Sequence, residues 1–279
     1  MPAQYVLRGG HAGYDRLSLL ALDRARDTSA LLKRAGVRSG MRAVDLGCGG
    51  GHVTFVLAQM TAPDGLVTGL DMDAVKFDLA RHEAARRHID NVEFRMVDVN
   101  RWDEPATYDL VYARFLLEHL AARREHFARM WTAVRPGGVL VVEDADFDGW
   151  VCHPPNAGFD FFVRTYSEVL RRRGGDPTAG RQLYGYGVAC GIPTPEVRLV
   201  QPVRYAGDAK AMAWTTLDAT QEAIVAEGVA SADEVAAALA DLRRFTDDPA
   251  SLLCGPRIFQ LWVERPVAAA TRAGAEAPS

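Results

Sequence analysis

Residues 41–53 read MRAVDLGCGGGHV: an apolar run carries Asp45 near its end, and glycines then occupy positions 47, 49, 50 and 51. Glycine costs more folding entropy than any other residue, so it is kept where backbone must turn sharply or let something approach closely. Placed between an apolar strand and the helical stretch 51–60, such a loop commits the chain to a strand–loop–helix unit with open space above the glycines. The same rhythm continues downstream. LVTGLDMD (66–73), VEFRMVDV (92–99), YDLVYA (108–113) and VLVVEDADF (139–147) read as strands, and 74–88 and 114–134 read as helices. RPGG (135–138) reads as a turn, and a helix over 14–35 stops at Gly36. Strands alternating with helices specify a parallel sheet joined by right-handed crossovers.

From about 148 the rhythm breaks. Residues 158–172 place Phe159, Phe162 and Tyr166 on one face at helical spacing, and Asp176-Pro177 reads as the N-cap and first residue of a helix ending near Gly191. A strand is expected at 197–206, helices at 208–228 and 231–246, and a last strand at 257–265.

Three ligand classes compete for the glycine loop. A phosphate-binding P-loop needs a Gly-Lys pair, which the chain lacks. A dinucleotide fingerprint accepts Gly47 and Gly49 but requires a small residue where His52 stands. An acid followed by G-x-G-x-G is met at every position by Asp45, Gly47, Gly49 and Gly51.

With that motif, and with Asp71 closing the second strand, Asp98-Val99 the third, and YDLVYARFLLEHL and RPGGVLVVED following in order, the sequence resembles the class I S-adenosylmethionine-dependent methyltransferases. The resemblance covers roughly residues 40–147. It implies an α/β fold: a doubly wound, Rossmann-like sheet of seven strands, the last antiparallel, with a helical cap. It divides the chain into an N-terminal helical lid (1–36), a cofactor-binding core (37–147), a helical cap insertion over the acceptor (148–194), the remainder of the core with helices (195–266) and a flexible tail (267–279). The implied cofactor is S-adenosyl-L-methionine, released as S-adenosyl-L-homocysteine. Its methionine end would lie on Gly47, Cys48, Gly49 and Gly51, with Asp45 near the ammonium and the backbone of Ala113 and Arg114 across the crevice. Asp71 would hold the ribose, Met72 the adenine face, and Asp98 and Val99 the adenine amino group.

Methyl transfer from a sulfonium chiefly requires alignment and exclusion of water, and a base only where the acceptor loses a proton. His119, in LLEHL, is the candidate base, against the plain alternative of a histidine packed within its helix; His11 is a second. Tyr5, Tyr14 and Arg16 are candidate lid contacts. Phe159, Phe162 and Tyr166, with Tyr184 and Tyr186, would roof an acceptor pocket. Glu143, Asp144, Asp146 and Asp148 cluster at the end of the fifth strand. Some metal-dependent members place an aspartate where this chain has Ala113-Arg114, so no metal is expected; the cluster reads as a solvated loop mouth or as Asp144 or Asp146 facing substrate, with Asp144 assigned to the substrate pocket. Arg171, Arg172 and Arg173 read as a solvated helix end.

A net charge of -4 counts against RNA or DNA as partner. The scattered cysteines fit free thiols in the cytoplasm, and no run is long and apolar enough to span a membrane. The expected partner is a compact apolar or aromatic molecule, in specialised-metabolite or antibiotic biosynthesis, with the cap helices offering a dimer surface. The competing expectations are a cofactor-bound enzyme catalysing a rearrangement or cyclisation, and a methyltransferase for RNA or protein.

Overall fold

The computed structural model describes the backbone of residues 10–267 and the side chains of 16–267. Tyr5 and most of the expected tail lie outside the described residues, as do the side chains of His11 and Tyr14.

Helix α1 (Gly10–Arg34) leads into β1 (Arg42–Leu46), α2 (His52–Thr61), β2 (Leu66–Asp71), α3 (Ala74–Arg86), β3 (Val92–Met96), β4 (Tyr108–Arg114), α4 (Arg123–Ala133) and β5 (Val134–Asp146). After a short β6 (Val151–His153) come α5 (Ala157–Arg172), α6 (Ala179–Ala189), β7 (Glu196–Val200), β8 (Val203–Arg204), α7 (Met212–Ala226), α8 (Ala232–Asp247), β9 (Leu252–Cys254) and β10 (Arg257–Glu264). The main sheet runs β3-β2-β1-β4-β5-β10-β7. β1 to β5 pair in parallel, and β10 lies antiparallel between β5 and β7. This is the seven-stranded doubly wound fold expected from the alternation. The order reverses between β1 and β4, so a crevice opens above their carboxyl ends.

Successive strand residues face opposite layers, and both layers are apolar. Val44, Leu46, Val111, Leu140 and Val142 pack with Phe127 and Met130 of α4 and Leu183 of α6. Ala43, Leu110, Tyr112 and Val141 face α1, α2 and α3 through Leu31, Leu32, Phe55 and Phe77. A third cluster joins Phe162 of α5, Leu217 of α7 and Leu242 of α8 into a helical cap. The cap therefore draws on α5, α7 and α8, while α6 lies on the sheet.

Four local expectations are corrected. The helix expected over 114–134 is broken: Phe115 turns to φ +53°, Leu117–His119 form a 3-10 turn, and α4 begins only at Arg123. The Asp144 carboxylate, accepting the N–H of Leu117 (2.8 Å) and Glu118 (3.3 Å), holds that turn open. The strand expected at 197–206 splits between β7 in the main sheet and β8 in a small β6-β9-β8 sheet. Asp176 precedes its helix by a turn, accepting the N–H and the hydroxyl of Thr178, so α6 starts at Ala179. RPGG lies inside β5, where Gly137 (φ +78°) allows the register shift between the Tyr108–Val134 and Leu110–Val139 pairs.

Candidate functional site

Above the β1–β4 crevice lies a cavity of about 1110 Å³. Its floor is the 47–51 loop, where Gly47, Gly49 and Gly51 have φ of +70°, +54° and +77°. A Cβ on Gly47 would stand 3.0 Å from Leu116 Cδ1, and one on Gly51 2.9 Å from the Phe94 ring, so only glycine lets the loop fold flat. Gly47 and Cys48 donate their N–H groups to the Leu70 carbonyl at the end of β2. The loop is thereby joined to Asp71, whose carboxylate accepts the N–H of Gly49 (2.8 Å) and of Asp73 (3.0 Å) at the cavity wall.

Asp45, Gly47, Cys48, Gly49, Asp71, Met72, Asp98, Val99 and Arg114 all line this cavity; Gly51 and Ala113 lie behind its wall. Met72 is half exposed beside Asp71, and Asp98 caps the turn at 99–101 by accepting the Asn100 N–H at 2.9 Å. Asp45 is buried and accepts a 2.7 Å hydrogen bond from Thr54 Oγ1. Burial pushes its carboxyl up to about 7, against the opposing pull of the Thr54 hydrogen bond and the Arg114 charge. Burial also raises the Cys48 thiol well above its usual range. His52, hydrogen-bonded to Ser18 of α1 at 2.8 Å, is lowered to about 4 by burial and the Arg114 and Arg87 charges. Arg114 donates to Thr28 Oγ1 at 3.1 Å and lies over the Phe115 ring.

The other half of the cavity is walled by Phe115, Phe147, Trp150 and Tyr166, with Phe147 and Tyr166 stacked at 4.5 Å. Glu118 and His119 stand on the same wall, with His119 Nε2 3.4 Å from Glu118 Oε1.

Several expected substrate residues lie elsewhere. Asp144 is fully buried, fixed by the N–H groups of Leu117, Glu118 and Ala145, and does not line the cavity. Phe159 and Phe162 pack edge-on against Trp150 inside the cap, one layer behind the wall, while Tyr166, with Leu170 one turn further along α5, reaches the cavity. Tyr184 is exposed and Tyr186 rests on Phe127, because α6 packs on the sheet. Asp146 and Asp148 are held by Arg181, and Glu143 accepts hydrogen bonds from Thr28, Tyr112 and Gln260. Arg173, read as solvated, lies on the cavity wall paired with Glu227 at 3.1 Å.

Phe115, Phe147 and Trp150 were not singled out from the sequence, nor was the α7 face bearing Thr216, Ala219 and Ala223. That face has ordinary helical spacing, and nothing local distinguishes a helix that walls a cavity from one that only packs.

The profile of a family described as a methyltransferase domain matches residues 37–161. A trans-aconitate 2-methyltransferase from Rhizobium leguminosarum bv. trifolii is 33% identical over 131 residues, 47% of this chain and 49% of that protein. The chain spans about half the length of the curated relatives it matches. Among solved structures, the [4+2]-cyclase SpnF superposes with a TM-score of 0.53 at 19% identity, covering 88% of this chain and 81% of that one. Phosphoethanolamine N-methyltransferase 2 of Haemonchus contortus, solved with S-adenosyl-L-methionine, gives 0.53 at 18% identity over 85% of this chain and 51% of its own. At such identities the likeness is one of fold.

Proposed function

Because residues 37–161 match a family described as a methyltransferase domain, we propose that the whole chain is a class I, S-adenosylmethionine-dependent methyltransferase that transfers the cofactor's methyl group to a small organic acceptor enclosed beneath the helical cap. The observation that carries this reading is the cavity itself: one continuous space runs from the flat glycine loop and Asp71 to the aromatic wall of the cap. The cradle fits the cofactor. Added Cβ atoms on Gly47 or Gly49 would meet Leu116 or Leu17, and Asp71 and Asp98 stand at consecutive strand ends facing the same space. Asp45 and Arg114 would take the methionine end, Asp71 the ribose, and Met72, Asp98 and Val99 the adenine.

When bound, the cofactor supplies an activated methyl group on a sulfonium. The chain's part is to seat the acceptor in line with that methyl and keep water out. α1 contributes to the enclosure: Leu17 packs on Gly49 and Ser18 on His52. A small acceptor is supported by this enclosure and by relatives named as trans-aconitate 2-methyltransferases.

Calorimetric titration with S-adenosylmethionine and S-adenosylhomocysteine tests the reading. Wild type binds both; Asp71→Ala weakens both by about 30–150-fold, as expected for losing hydrogen bonds from a charged acceptor worth roughly 2–3 kcal/mol. Absence of binding by folded wild type, with or without candidate acceptors, sinks it. A second reading has one observation in its favour, the fold shared with a protein named as a [4+2]-cyclase. Cofactor that binds without ever yielding S-adenosylhomocysteine would select that alternative.

A further inference from the structure

The acceptor half of the cavity combines flat apolar rings with cations already neutralised. Arg24 and Arg204 share Asp23, and Arg173 meets Glu227. At the cofactor end, beside Asp71, Lys76 is paired with Asp73 at 3.3 Å. Arg114, hydrogen-bonded to Thr28 and within electrostatic reach of Asp45, stands at the glycine-loop end, as does Arg16 beside Leu17. On the cap side, then, an anionic acceptor would find each arginine among the described residues with a carboxylate next to it.

Glu118 differs from these acids. It is 4% exposed and lines the cavity; Oε1 faces His119, and Oε2 is buried with no hydrogen-bond partner among the described residues. Beneath it, Asp144 is gripped by backbone N–H groups, and burial together with the Glu118 charge pushes its carboxyl well above the usual carboxylate range. A buried carboxylate oxygen without a donor is costly, and a ligand that brings one relieves the cost.

We propose that Glu118 and His119 are the polar anchor of the acceptor site, and that the acceptor is a ring-bearing molecule presenting an amine or hydroxyl to this pair, not a polycarboxylate. The proposal rests on the methyltransferase reading and deepens it. The rings of Phe115, Phe147, Trp150 and Tyr166 cover the acceptor's apolar face, while the Glu118 carboxylate accepts a hydrogen bond from its nucleophile. On transfer, the nucleophile's lone pair forms the new bond to the methyl carbon. The carbon–sulfur bond breaks with its electron pair left on sulfur, and the nucleophile's proton passes to the Glu118 carboxylate that accepts its hydrogen bond, beside which His119 Nε2 stands at 3.4 Å.

The test uses one ring system in three charge states: tryptamine, 3-ethylindole and indole-3-acetate, each titrated calorimetrically into the full chain beside a separate titration of S-adenosylhomocysteine. Tryptamine binds most tightly, and indole-3-acetate at least tenfold more weakly. Glu118→Gln lowers tryptamine affinity about tenfold, leaving 3-ethylindole and S-adenosylhomocysteine unchanged. His119→Asn is the second variant should the glutamine form fail to fold, and it lowers tryptamine affinity in the same direction. Equal binding of tryptamine and indole-3-acetate, an unchanged preference in the variants, or no binding of any ring overturns the anchor. Ring binding retained with no S-adenosylhomocysteine binding overturns the methyltransferase reading and spares the anchor.

Discussion

At the end of β1, Asp45 keeps its proton to about pH 7 because burial outweighs the help of Thr54 and Arg114. Between about pH 4 and 7 the unfolded chain releases that proton while the folded chain holds it. Its contribution to stability is therefore full at low pH and is lost as pH rises through 7. His52, lowered to about 4 from 6.5, acts in the opposite direction, costing stability as pH falls through the same interval. Asp45→Asn isolates the first effect: its melting temperature relative to wild type rises from pH 4 to 7 and then levels off. Calorimetric scans showing a constant difference would contradict the assignment. The same ionisation favours a bound ammonium, so wild-type affinity for S-adenosylmethionine tightens as pH rises through 7 and that of Asp45→Asn stays flat. The sequence made Asp45 legible as part of a motif, but its raised carboxyl comes from layers of chain that only the fold assembles.

The turn between β4 and α4 shows where local periodicity fails. RFLLEHLAARREHFARMWTAV has helical spacing throughout, yet Phe115 adopts a left-handed conformation and the next residues tighten into a 3-10 turn. The cause sits 26–27 residues away, where Asp144 accepts the backbone N–H groups of Leu117 and Glu118 and fixes the chain at this point in a turn. Asp144→Ala leaves those buried donors without a partner and costs about 3 kcal/mol or more, seen as a fall in denaturant midpoint; Asp144→Asn costs less. If the alanine form matches wild type, Asp144 does not hold the turn. The aromatic stripe of α5 fails for a related reason. Helical spacing identified a buried face correctly, but Phe159 and Phe162 back the wall that Phe147 and Trp150 form.

Across the molecule, α1 closes the cavity by ties to parts of the chain remote in sequence. Thr28 reaches Glu143 and Arg114, Ser18 reaches His52, and Asp23 is shared by its neighbour Arg24 and by Arg204 of β8. Arg24 is 2% exposed, and burial lowers its guanidinium against the pull of Asp23. Asp23→Ala leaves Arg204 and the buried Arg24 near each other with only the longer Arg24–Asp27 contact (3.5 Å) remaining, at a cost of about 3 kcal/mol. Amide hydrogen exchange should then quicken across residues 16–28 while β1 and β4 keep their protection; uniform acceleration would mean global destabilisation instead. What the sequence determined alone was the core: alternating apolar strands and helices, an acid before a glycine loop, and acids at successive strand ends. Each of these is written within one supersecondary unit, because strand period, glycine conformation and crossover handedness are local physics. Only the tertiary structure decided that α6 lies on the sheet and α7 on the cavity, that Glu118 and His119 share a wall with Phe147 and Trp150, and that Asp144 is structural. Those outcomes depend on which buried faces meet across long stretches of chain, and a helix's own spacing says that a face is buried without saying against what.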